Sequence, residues 1–88
     1  MRREFIAVVF RTSEGAFAIE FPDLIGCVAS AATYSSCPDV AARALTAYLA
    51  AIEGEGYAVP KPSSLESVMT NPRNLEGVPI AVLAAVRV

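Results

Sequence analysis

The chain has 88 residues, of which 55% are apolar and 18% are charged, and it contains no histidine. A chain of this length forms one small domain, and we expect residues 1–88 to be a single one. Seven Lys and Arg against nine Asp and Glu give a net charge of −2 without any basic run. The positive surface that neutralises nucleic-acid phosphates is therefore missing, and we expect no DNA binding. The lack of histidine excludes Ser–His and Cys–His nucleophile systems.

The same composition bears on partners and location. The apolar content exceeds the roughly 45–50% of ordinary domains, which predicts that another chain covers part of the surface. We therefore expect a homo-oligomer (a dimer or a tetramer), a different protein partner, or both. No secretory signal precedes the chain's first strand-like segment, and no apolar stretch approaches the ~20 residues that span a bilayer. These features indicate a cytoplasmic protein without membrane contact, in which Cys27 and Cys37 are free, buried thiols.

Three strands are predicted in the first third of the chain. Residues 5–10 are β-branched and aromatic with apolar residues on both faces, which predicts a central strand buried on both sides. Residues 11–15 are polar and end in glycine, as a hairpin loop does. Residues 16–21 form the return strand, with Glu20 on the face opposite its apolar residues. Residues 27–32 complete an antiparallel meander.

A shaped turn is predicted between the second and third strands. Pro22 has no N–H to give to a ladder and ends the second strand. We expect Asp23 to accept a hydrogen bond from the backbone one or two residues on and so hold the turn. Gly26 is the residue most able to take a positive φ where the chain reverses.

One main helix follows the third strand. Ser36 is the predicted N-cap, Asp39 completes a capping-box-like pair three residues on, and Pro38 is tolerated in the first turn. Apolar residues then recur at helical spacing and form a stripe that would pack on the sheet: Val40, Ala41, Ala44, Leu45, Tyr48, Leu49 and Ile52. The opposite face is rich in alanine, either as a simple helix former or as a smooth surface for another subunit. The stretch 53–56 ends the helix and offers a glycine for a left-handed cap.

The last third of the chain contains less regular structure. The prolines within residues 57–64 predict an extended, stiffened connector. Ser64 is the predicted cap of a short helical turn at 65–69, and residues 74–77 are predicted to be loop. Residues 80–88 form the final strand. The order β-β-β-α-β predicts an α+β fold, a small antiparallel sheet with one main helix packed on one face.

Carboxylates are the one enzymatic possibility left. The predicted order resembles part of the ribonuclease H fold, whose members hold two Mg²⁺ ions with clustered acids. A metal-dependent nuclease of that kind would need Glu20, Asp23 and Asp39 to converge, yet a turn and a helix start already account for Asp23 and Asp39. No cofactor, metal site or small-molecule substrate is otherwise indicated, and we expect the protein not to be an enzyme.

Two short motifs resemble those of the HicB antitoxin family, and in particular its N-terminal domain. The first is Phe-Pro-Asp-Leu-x-Gly-Cys, in which Phe21, Pro22, Asp23, Leu24, Gly26 and Cys27 match. The second is the connector motif Gly-Tyr-x-x-Pro-x-Pro-Ser, in which Gly56, Tyr57, Pro60, Pro62 and Ser63 match. The resemblance extends over about residues 5–64. Of the matching residues, we expect Pro22, Asp23, Leu24 and Gly26 to serve first in shaping the turn and only second in contacting a partner.

The resemblance implies an antitoxin-like protein-binding domain. Its partner would be a small basic HicA-type toxin, an enzyme that cleaves messenger RNA, which the domain would neutralise by covering its active site. Family members commonly carry a C-terminal DNA-binding segment, which this chain, ending at Val88, is expected to lack. The chain departs from the family at Ile25, where proline is usual, at 31–32, where Gly-Asp is usual, and at 35–37, where Glu-Glu-Ala is usual. The alternative is a solitary homo-oligomer of the same fold without a toxin partner.

Overall fold

The strands form one antiparallel sheet with the order β3-β2-β1-β4. The computed structural model describes residues 2–85, with side chains from 4 to 83. The elements are β1 (Arg2–Arg11), β2 (Phe17–Glu20), β3 (Val28–Ala31), α1 (Cys37–Gly54), α2 (Leu65–Met69) and β4 (Val78–Ala85), with 3-10 helices at Tyr34–Ser36 and Pro72–Glu76. The α+β class, the antiparallel meander and the β-β-β-α-β order of the main elements are confirmed. The last three residues of the predicted final strand lie outside the described residues.

β1 is the central strand and is buried on both faces, as its sequence predicts. Phe5, Ala7 and Val9 belong to the core on the face that α1 covers. Ile6 and Val8 are buried on the opposite face, which we call the second face. Because side chains alternate along a strand, a run that is apolar at every position requires cover on both faces.

The apolar stripe of α1 packs on the sheet. Ala41, Leu45 and Leu49 are buried, and the flanking members of the stripe are half-buried. Their spacing of four residues places them on one side of the helix, above Phe5, Ile19 and other core residues. The predicted packing of the helix on one face of the sheet is confirmed.

The second face has a cover that the sequence did not predict. Val68 is buried in α2, and together with Met69 it packs against Ile6 and Val8. Asn74 is buried beside them, and its side-chain amide donates a hydrogen bond of 2.8 Å to the Val68 carbonyl. The predicted loop at 74–77 was wrong, because residues 72–76 form a 3-10 helix. Asn71 caps that helix by accepting a hydrogen bond from the Arg73 N–H.

Ser36 occupies the N-cap position of α1, but its side chain does not cap the helix. Its φ of −86° and ψ of −10° are already helical, because residues 34–36 form a 3-10 helix that runs into α1. The Ser36 hydroxyl donates instead to the Thr33 carbonyl at 2.9 Å. The predicted capping box is therefore wrong, although Asp39 lies in the first turn, where a negative charge favours the helix dipole.

The other predicted end signals of the helices are confirmed. Gly56 has a φ of +84° just beyond α1, as a left-handed helix end requires. Ser64 caps α2, because its hydroxyl accepts a hydrogen bond of 3.2 Å from the Ser67 N–H.

Cys27 and Cys37 are buried and free. Burial raises the pKa of both thiols, which keeps them neutral and poorly reactive.

Candidate functional site

The turn between β2 and β3 is closed by its own backbone. The Leu24 N–H donates to the Phe21 carbonyl at 2.9 Å, the Cys27 N–H donates to the Leu24 carbonyl at 3.0 Å, and the Phe21 N–H donates to the Cys27 carbonyl at 3.2 Å. The side chains of Phe21, Leu24 and Cys27 are buried in the core on the α1 side. Half of the motif thus anchors the turn to the core, and the backbone bonds fix its shape.

Gly26 has a φ of +85°, as predicted, and a Cβ at this position would meet no atom within 4 Å. We expect Gly26→Val to lower the free energy of unfolding by about 1 kcal/mol or more, because a β-branched residue is strained at positive φ. Gly54 is the matched control, since it also has open space around it but lacks the positive φ. Gly54→Ala should raise stability by about 0.5 kcal/mol. Equal thermal stability of the wild type and Gly26→Val would contradict the role assigned to this turn.

Asp23 joins the turn to the connector. Its carboxylate accepts two hydrogen bonds of 2.7 Å from Ser63, one from the backbone N–H and one from the hydroxyl. The predicted bond from Asp23 to the backbone one or two residues on is wrong, because its hydrogen bonds come from a residue 40 positions away. The two sequence motifs therefore meet at this point, which we call the Asp23–Ser63 latch.

The rest of the connector motif is placed around the latch. Tyr57 and Pro60 are exposed, Pro62 is half-buried, and Gly56 is the left-handed residue that starts the connector. Ser64, the N-cap of α2, follows Ser63 directly. The latch thus fixes the point from which α2 begins its path over the second face.

Ile25 is the most exposed large apolar residue of the described chain, with 92% of its surface accessible. Its carbonyl accepts a hydrogen bond of 2.8 Å from the Tyr48 hydroxyl of α1. The backbone beneath the side chain is therefore held on two sides, by the turn and by the helix. A rigidly held, exposed apolar side chain loses little conformational entropy when it is buried in an interface.

A groove of about 240 Å³ lies beside the turn. Its lining combines the turn with residues of the second face: Glu20, Phe21, Pro22, Leu24, Ile25, Gly26, Cys27, Val28 and Arg73. Val28, on β3, is 64% exposed at its rim. Arg73 donates hydrogen bonds of 2.8 and 3.0 Å to the two carboxylate oxygens of Glu20. This exposed ion pair orients the groove wall but adds little stability, about 0–1 kcal/mol.

The carboxylates named above as possible metal ligands have other surroundings. Glu20 is paired with Arg73, and Asp23 is bonded to Ser63. Asp39 is exposed in the first turn of α1. Among the residues that the structure describes, no group of three or more Cys, Asp or Glu side chains is arranged to hold a metal ion. What the site offers is a shaped surface with exposed apolar residues, which suits contact with another protein.

Sequence reasoning did not identify Ile25, Val28 and Arg73 as members of this surface. Ile25 interrupts the motif with an apolar residue at a turn position, which is the one local signal that could have indicated an exposed contact. Arg73 carries no such signal, because it pairs with a glutamate 53 residues earlier.

Solved structures of antitoxins and of a toxin–antitoxin complex share this fold. A chain of a structure described as the HicA3 and HicB3 toxin–antitoxin complex matches with a TM-score of 0.74 and 25% identity, over 98% of this chain and 100% of that one. The N-terminal domain of the Burkholderia pseudomallei antitoxin HicB matches with a TM-score of 0.81 and 18% identity, over 98% and 100% of the two chains. The antitoxin HicB3 matches with a TM-score of 0.71 and 26% identity, over 97% of this chain and 62% of that one.

The fold and the exposed turn therefore define a small α+β domain of the antitoxin type. The model of the HicB-like antitoxins of bacterial toxin–antitoxin systems matches residues 5–87. The chain belongs to this family. A search of curated protein sequences gave no significant match. Within residues 2–85, no helix has the length and hydropathy needed to cross a membrane.

Proposed function

We propose that the chain is a single HicB-like domain that acts in the cytoplasm as an antitoxin and neutralises a HicA-type, mRNA-cleaving toxin by covering its active site. The observation that carries the proposal is the family match over residues 5–87. The structural likeness to a chain of a toxin–antitoxin complex, which extends over 98% of this chain, adds support. Inhibition by occlusion needs a rigid complementary surface and no chemistry from the antitoxin itself.

The contact surface that we propose is the exposed part of the turn and its groove. Phe21, Leu24 and Cys27 are buried and the Asp23 carboxylate is bonded to Ser63, so these motif residues act through the shape of the turn. Pro22, Ile25 and Val28 are exposed around the groove and remain for the partner. Apolar anchors at the centre of an interface commonly carry most of its binding energy.

Charge supports a basic partner. The chain has a net charge of −2, whereas an enzyme that binds RNA carries positive groups for the phosphates. Opposite net charges speed the encounter of two proteins, and salt screens that attraction. We therefore expect the complex to form more slowly at high salt.

The experiment that tests the proposal uses the product of a small reading frame adjacent to the gene of this chain. Co-expression of the two proteins, with a tag on this chain only, should give a stoichiometric complex, and the small protein should arrest growth when expressed alone. A neighbouring protein that neither binds nor arrests growth would overturn the antitoxin proposal.

Ile25→Lys should weaken this complex by about tenfold or more, because it places a positive charge in an apolar contact with a basic partner. The free energy of unfolding should change little, because the Ile25 side chain is almost fully exposed. Leu65→Lys is the matched control, since Leu65 is an apolar residue that is 51% exposed on α2 and does not line the groove. Titration calorimetry of the three proteins with the toxin gives the comparison. Equal affinity of the wild type and Ile25→Lys would exclude the turn as the contact surface.

Self-association is a second part of the proposal. Leu83 and Val78 on β4 are each 47% exposed, and Val28 on β3 is more so, so both edges of the sheet carry accessible apolar side chains. A homo-oligomer would cover some of them. Self-association does not require a toxin partner. A solitary member of the family would therefore also form a homo-oligomer.

A further inference from the structure

Glu20 supplies the carboxylate of the groove beside the turn. It lies on the second face of β2, between Val8 of β1 and Val28 of β3 in the register of the sheet. Val8 is buried and Val28 is 64% exposed, so the carboxylate lies at the border between the covered part of this face and the open groove. A strand thus holds a negative charge in the wall of an exposed, largely apolar groove, where it favours a partner that brings a positive charge.

Arg73 binds this carboxylate through one nitrogen only. Its Nη2 donates hydrogen bonds of 2.8 and 3.0 Å to the Oε1 and Oε2 atoms of Glu20. A fork-to-fork pair would use two nitrogens in parallel, which is the stronger arrangement. An ionised carboxylate has about four acceptor sites, and among the described residues Arg73 is the one donor to Glu20. Glu20 therefore retains acceptor sites for a second cation.

The fold holds the two members of this ion pair with different firmness. The Arg73 side chain is 70% exposed and comes from a 3-10 helix of five residues. The Glu20 side chain is 32% exposed and comes from a strand that is paired on both sides. An exposed ion pair of this kind adds little to stability. Arg73 can therefore leave Glu20 at little cost, while the carboxylate stays in place.

The surroundings of Glu20 favour a long cationic side chain of the partner. Ile25 and Val28 line the same groove and are 92% and 64% exposed. Arg and Lys side chains bury their aliphatic stems along apolar surface and keep the charged end at a polar group. The net charge of −2 favours a basic partner. Because the contact excludes water, an ion pair inside it is stronger than the exposed pair with Arg73.

We propose that Glu20 recognises an Arg or Lys side chain of the basic toxin, and that Arg73 is a placeholder that leaves the carboxylate when that cation binds. This inference rests on the proposed function and names the residue that selects the partner by its charge. Loss of the Glu20 charge then removes the recognition group, whereas loss of the Arg73 charge removes its competitor. The two losses change the affinity in opposite directions. In a purely structural ion pair, the loss of either member would act in the same direction.

The test measures the Kd of the full chain for the small protein encoded by the adjacent reading frame, by titration calorimetry at two salt concentrations. Glu20→Gln should raise the Kd about tenfold or more and reduce its dependence on salt. Arg73→Gln should lower the Kd about threefold or more, because it removes both the competitor and a charge that repels a basic partner. Glu53→Gln and Arg43→Gln are the matched controls, since they make the same changes at exposed residues of α1 outside the groove. They should change the Kd by less than about twofold.

The thermal unfolding of all four variants should stay within about 4 °C of the wild type, because the ion pair is exposed. A wild type that does not bind the small protein would overturn the proposed function and this assignment with it. A wild type that binds, while Glu20→Gln binds equally well or Arg73→Gln binds no tighter, would refute the assignment to Glu20 and Arg73 alone. The antitoxin proposal would then stand.

Discussion

Asp23→Ala should lower the free energy of unfolding by about 2 kcal/mol, which for a domain of this size is a fall in Tm of roughly 10 °C. The substitution removes an acceptor that takes two hydrogen bonds of 2.7 Å from Ser63. Hydrogen bonds to a carboxylate are stronger than neutral ones, and the Ser63 N–H is left without this partner in a half-buried position. The loss also frees the start of α2, so amide exchange should quicken over residues 63–69.

Three further variants separate the latch from a general loss of charge. Ser63→Ala keeps the backbone N–H donor and removes the hydroxyl donor, so it should cost about 1 kcal/mol. The double variant with Asp23→Ala should be no less stable than Asp23→Ala alone, because both changes act on the same contact. Asp39→Ala removes an exposed carboxylate at the start of α1 and should cost about 0.5 kcal/mol. Additive effects of Asp23→Ala and Ser63→Ala in a denaturation series would show that the latch is not one unit.

Local sequence signals predicted the elements that depend on a few neighbouring residues. The short helix Leu65–Met69 and its cap Ser64 lie where the sequence pattern predicts them. The serine caps the first turn, and Pro72 cannot continue the helix, so both signals act over a few residues. The two-sided burial of β1 follows directly from its unbroken apolar run. The same kind of signal was misleading at Ser36, where the preceding 3-10 helix had already turned the backbone and the hydroxyl.

The candidate site depended on contacts between residues that are distant in the sequence. The motif of the turn was predicted, but the Asp23 carboxylate bonds to Ser63, 40 residues away, and Arg73 of the groove wall pairs with Glu20 across 53 residues. No periodicity or spacing encodes which polar group a carboxylate will meet after the chain has folded. The cover of the second face was missed for the same reason, since α2 is too short to show an apolar stripe.

Gly77 is another position whose role follows from tertiary structure alone. Its φ of −105° is open to any residue, so backbone strain does not explain why glycine stands there. A Cβ on Gly77 would overlap Val8 Cγ1 and would lie 2.9 Å from Phe10 Cε1 and 3.0 Å from the Val9 carbonyl oxygen. The close approach lets the chain pass from the 3-10 helix at residues 72–76 into β4 directly against β1.

Gly77→Ala should therefore lower the free energy of unfolding by about 2–3 kcal/mol, the cost of forcing an extra methyl group into a packed site. Gly54→Ala makes the same chemical change where no atom lies within 4 Å, and it should be neutral or stabilising. Val8→Ala removes the atom that the new methyl group would meet first, so the double variant should be more stable than the sum of the two single effects predicts. Urea denaturation of the four variants and the wild type measures this coupling. If the changes in the free energy of unfolding were strictly additive, the methyl group would be accommodated without displacing Val8. β4 would then tolerate a wider separation from β1 than its packing implies.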